Sequence, residues 1–175
     1  MLIPVIPLFV VTLMPDSDRI STFTGLVVGV GAATGTASAV YLGRLGDRIG
    51  HRRILIASAT LGGLFYIAQV FTTEAWQLLL LQALAGAASG GVMPSISALL
   101  NTSTQPGQEG SVYGLDSSVA AAARAVAPMV GAGIAVWFGM PGAFVLAGLI
   151  FLSTAGLALR WLSEVKAVPA QAPVA

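Results

Sequence analysis

Few side chains in this sequence can do chemistry, and they are unevenly placed. Residues 43–53 read GRLGDRIGHRR and hold four of the eight Lys and Arg, with the single His of the chain. Arg44, Arg48, Arg52 and Arg53 alternate there with Gly43, Leu45, Gly46 and Gly50, and one acid, Asp47, sits among them. Glycine permits tight turns. Asp47 can accept hydrogen bonds from neighbouring guanidinium groups or cap a helix N-terminus. The arginines can anchor the stretch at anionic headgroups. This chemistry suits a charged loop at a membrane surface.

Two further charges, Asp116 and Arg124, fall inside an apolar segment. Arg124 is about 12 residues into that segment, roughly 18 Å from its start. An arginine at the bilayer centre costs about 2.5–3.5 kcal/mol, so it is expected to face a cavity or a partner. Two readings stay open for it. It lines a central cavity and meets a substrate or a carboxylate from elsewhere, or it is satisfied by carbonyls freed at Pro128. Asp116 lies about 80° away around the helix. Because the Arg side chain leans toward the helix N-terminus, a water-bridged contact between the two is within reach. Gln82, with Gln69, Ser89, Ser95 and Ser97, offers either a polar path or ordinary hydrogen bonds between helices. The chain has no Cys, hence no disulfide, no thiolate nucleophile and no zinc–thiolate site. One His and no serine-nucleophile context point away from an enzyme. No metal and no cofactor are expected, and no basic face for nucleic acid is present.

The elements that must position these groups follow from composition. The 175 residues are 56% hydrophobic and 9% charged, with a mean hydropathy of +0.88. Soluble domains carry about 25% charged residues, so the expected fold class is an all-α polytopic membrane protein. A spanning helix needs about 20 apolar residues. Segments 20–42, 54–71, 76–100, 112–138 and 143–162 meet or approach that length. Segment 1–14 is apolar but short and carries Pro4 and Pro7, so it reads as a partial first helix. The expectation is thus five full transmembrane helices plus a partial one, joined at 15–19, 43–53, 72–75, 101–111 and a GMPG turn at 139–142. Residues 163–175 are expected to be a disordered cytoplasmic tail. No removable signal peptide is expected, since no positive region precedes the first apolar run.

Loops rich in Lys and Arg stay cytoplasmic, which places 43–53, 101–111 and the C-terminus inside. Trp76, Trp137 and Trp161 fall near helix ends, as in an aromatic belt. Small residues recur four apart at Gly25/Gly29, Gly31/Gly35 and Gly86/Gly90, with Gly131 and Gly133 beyond. Such spacing suits close helix packing, or surfaces that slide in a machine that changes shape. Pro94 and Pro128 are expected to kink their helices.

The order Gly43-x-Leu45-Gly46-Asp47-Arg48-x-Gly50-x-Arg52-Arg53 between two membrane helices resembles the loop signature of the major facilitator superfamily. In that family the signature lies between helices 2 and 3 and, in weaker form, between helices 8 and 9. One full and one partial helix precede it here and four segments of helix follow, which resembles the carboxy-terminal half, helices 7 to 12. The stretch LLLLQALAGAASGGVMPSISALL at 78–100 is similar to helix 10 of drug/proton antiporters. RAVAPMVGAGI at 124–134 is similar to their helix 11. The resemblance covers residues 1–162 and is nearest to 12-helix multidrug efflux proteins. It departs at Glu109, where many relatives have a basic residue, and at Ala127, where relatives often have glycine.

The resemblance implies part of a secondary transporter that exports small amphipathic or drug-like molecules against proton entry. Its implied setting is the inner membrane, with the lipid bilayer, a small-molecule substrate, protons and an amino-terminal transporter half as partners. The coupling acids of the family lie in that other half, and residues 124–133 are the repeat-related echo of its helix 5 signature. Asp47 would brace the loop against the other half or pair locally with arginine. The rival expectations are a sugar or organic anion as substrate, or a truncated, non-transporting membrane fragment, or a half that needs a partner chain.

Overall fold

The computed structural model describes residues 5–13, 19–105 and 107–162. The expected tail at 163–175, and Pro4, Asp16 and Asp18, lie outside the described residues. Six helices follow one another with no strand among the described residues: α1 (Val5–Leu13), α2 (Ile20–Ile49), α3 (His51–Ala68), α4 (Ala75–Ser89), α5 (Val92–Ser103) and α6 (Glu109–Trp161). A 3-10 turn, Gln69–Phe71, extends α3. Four stretches are long and apolar enough to cross a membrane: Ile20–Ile49, His51–Phe71, Ala75–Ser103 and Glu109–Trp161. The last is really two helices, because Gly139 breaks it with φ 76 and ψ 173. We call 109–138 its first limb and 140–161 its second. The chain is an all-α multi-pass membrane bundle.

The sequence expectation of a loop at 43–53 is corrected. α2 continues to Ile49 and α3 begins at His51, so the turn is one residue long. Gly50 sits at φ 100 and ψ 128, a region that only glycine enters readily. Its N–H bonds the carbonyl of Gly46 at 2.9 Å, and its own carbonyl accepts from Arg53 at 3.2 Å. The other two glycines keep helical backbone, so the charged stretch is rigid rod on both sides of a single corner. The four-residue turn expected at 139–142 shrinks in the same way. Only Gly139 departs from helix, and Pro141 and Gly142 already belong to the second limb.

The remaining corners have local causes. At the start of α4, the side-chain Oε1 of Gln77 accepts from the N–H of Thr73 at 3.0 Å and of Glu74 at 3.4 Å, covering N–H groups that helix geometry leaves open. Between α5 and α6, the Glu109 carboxylate accepts the N–H of Gly107, at φ 88, at 2.8 Å. An acid in the first turn also suits the helix dipole. The α4–α5 junction at Gly90 and Gly91 keeps near-helical angles. Pro94 falls in the first turn of α5, where a missing N–H costs least.

Packing divides into two glycine-built crossings and one apolar knot. In the first crossing, α2 meets α4. A Cβ on Gly86 would strike the carbonyl of Gly31 and lie 2.6 Å from Thr34 Oγ1, and one on Gly90 would strike Ser38 and Gly35. In the second, α3 meets the second limb of α6. Cβ atoms on Gly63 and Gly148 would each lie under 3.0 Å from the other's carbonyl, at 2.9 and 2.8 Å. The apolar knot joins Ile6, Phe9 and Val10 of α1 to Val27, Leu78, Ala143 and Phe144. The rings of Phe9 and Phe144 sit 5.1 Å apart at 60°, an attractive tilted geometry.

Candidate functional site

The charged corner is built by helix ends. Asp47 and His51 are one helical turn apart across Gly50, and Nε2 of His51 meets Oδ1 of Asp47 at 3.0 Å. The imidazole lies against Gly46, where any Cβ would collide with Nδ1. Gly46 is thus buried because the ring needs its space. Arg52, in the first turn of α3, donates from Nη2 to the carbonyl of Leu159 at 2.9 Å. Leu159 lies in the last turn of α6, where carbonyls have no intrahelical partner. The corner therefore ties the far end of α6 to the start of α3. Gly43, Leu45, Arg44 and Arg48 line the last turns of α2. Asp47 has His51, one turn on, as a partner among the described residues.

The intramembrane groups separate into two sets. Gln82, on α4, is 9% exposed and packs on Gly31 of α2, with no hydrogen bond to its Oε1 among the described residues. Gln69 and Ser95 are fully buried, and their side chains make no hydrogen bond among the described residues. Asp116 and Arg124 lie on the first limb of α6 and are both exposed. That limb begins at Glu109, three residues before the expected start, so Arg124 is about 22 Å from one end and about 21 Å from the other. α6 packs on α1, α3 and the turn after α3, and α4 packs chiefly on α2 and α3 and more lightly on that same turn. The structure does not gather Gln82, Asp116 and Arg124 into one site. Arg124 donates to no carbonyl near Pro128 among the described residues, and the helix runs through Pro128 without leaving helical dihedrals.

The first limb has little of its surface covered. Only Gly131 is buried, and Val112, Ala120, Ala127, Ile134 and Ala135 form a narrow half-covered line. Val136, Trp137 and Phe138 are 83, 84 and 77% exposed. Exposed apolar surface of this extent is what lipid or another protein surface covers.

Three groups escaped the sequence reading. Thr34 Oγ1 donates across the first crossing to the carbonyl of Ala83 at 2.9 Å, while lying near its own Val30 and Gly31 carbonyls. Its signal was a hydroxyl inside a small-residue line. His51 is the second: the sequence marks it as the single His of the charged stretch, but not its pairing with Asp47 four residues earlier. The third is the backbone of Leu159, which carries no side-chain signal at all.

These features define a polytopic all-α membrane protein with a charged single-glycine corner. The family model of the Major Facilitator Superfamily matches residues 1–174, and the chain belongs to that family. It is 32% identical over 171 residues to the multidrug resistance protein MdtG of Enterobacter lignolyticus, covering 96% of this chain and 41% of that protein. It is 29% identical over 160 residues to MdtG of Dickeya zeae, covering 91% and 39%. Against MdtG of Salmonella typhimurium it is 32% identical over 151 residues, covering 86% and 37%. The chain spans about two fifths of the length of these relatives.

Proposed function

We propose that this chain is the carboxy-terminal six-helix portion of a secondary transporter that exports small amphipathic, drug-like molecules by alternating access. The relatives are named as multidrug resistance proteins, and the family is one of transporters. The observation that carries the reading is Arg124. It sits midway along an apolar limb with no partner on the described chain. A guanidinium at that depth is stable only against a water-lined cavity or another protein surface. In the transporter, the first limb faces the amino-terminal half across the substrate cavity. There Arg124 meets substrate or a carboxylate, with Asp116 nearer the cytoplasm. Proton coupling comes from acids in the other half. The corner at Gly50 and the C-terminus face the cytoplasm of an inner-membrane protein, as the charge of residues 44–53 favours.

A second reading is favoured by one observation, that the relatives are more than twice as long. On it, this chain alone is a half that transports nothing until joined to a partner.

The experiment joins the chain to the remaining portion of the E. lignolyticus relative and expresses both forms, with and without the added portion. Everted vesicles are then assayed for ethidium transport driven by a proton gradient. The chain alone is expected to be inert and the joined form active. Arg124→Ala in the joined form should cut transport tenfold or more, with membrane insertion unchanged, about the size of one lost charged contact. A joined form that inserts but moves no ethidium under the gradient would sink the efflux reading. Transport unchanged by Arg124→Ala would remove Arg124 from the cavity.

A further inference from the structure

We draw no further inference here: the strongest candidate, the fully buried Gln69 side chain in the 3-10 turn that extends α3, whose Oε1 and Nε2 make no hydrogen bond among the described residues, carries nothing because neither a cavity nor a second polar side chain beside it shows what ligand it would hold.

Discussion

Between α2 and α4 the backbones touch through glycine, while along the first limb of α6 nearly every side chain from Tyr113 to Val130 faces outward. Both helices are apolar and rich in small residues. The same residue type does opposite work in the two places. Gly35, Gly86 and Gly90 are small because another backbone crowds the space a Cβ would need, and Gly31 because the Gln82 side chain fills it. Gly110, Gly114 and Gly133 meet nothing within 4 Å. In lipid no hydrophobic push holds helices together, so close packing and hydrogen bonds must do it. The α2–α4 crossing has both. From Glu109 to Val130 the first limb has neither among the described residues, and its exposed apolar surface is what lipid or another protein surface covers.

The sharpest way to break the comparison is to add the same atoms on both sides. Gly86→Leu drives a side chain into the Gly31 carbonyl and should cost about 3 kcal/mol or more, since the obstacle is backbone. Gly114→Leu should be neutral or should stabilise by about 1 kcal/mol, because glycine is a poor helix former and the space is open. Both are read from the SDS concentration at which helical signal is lost in mild detergent. Equal effects would mean the first limb is as tightly packed as the crossing, and the contrast would fall.

The two motifs at Gly31/Gly35 and Gly86/Gly90 were legible in the sequence because four-residue spacing fixes a helix face. It could not say that each is the other's partner. That follows from the turn at 72–74, which brings α4 back past α3 to reach α2. The spans were legible too, to within a few residues. The charged corner was not. Three glycines among arginines read as loop, yet Gly43 and Gly46 are helical because Pro94 and His51 pack against their bare faces. Only a position with φ near 100 must be glycine, and spacing does not reveal φ. The surroundings of Arg124 were beyond reach for another reason. An alanine-rich limb that is small on all sides gives no moment to show which face is covered.

The corner itself supplies the next test. Gly50→Ala places a Cβ at φ 100 with open space around it, so the penalty is conformational alone, about 1–3 kcal/mol. Gly43→Ala, at helical φ with Pro94 Cβ at ordinary contact distance of 3.6 Å, should be near neutral. The same denaturation assay reads both. A costless Gly50→Ala would mean that the corner rearranges easily and that 43–53 behaves as the loop its sequence suggested.

The smallest expected effect separates glycine contact from hydrogen bonding within the crossing. Thr34→Val keeps the shape of the side chain and removes the hydroxyl that reaches Ala83. Hydrogen bonds between membrane helices average about 0.6 kcal/mol. This hydroxyl can also bond back to Val30 or Gly31 in the unpaired helix, so its net worth across the interface should not exceed that. Combined with Gly86→Ala, the loss should be less than the sum, because a Cβ on Gly86 would lie 2.6 Å from the same oxygen and push the helices apart before the bond is lost. Additive losses would show that the threonine and the glycines act independently. The crossing would then be held by two separate contacts and not by one close approach that makes the other possible.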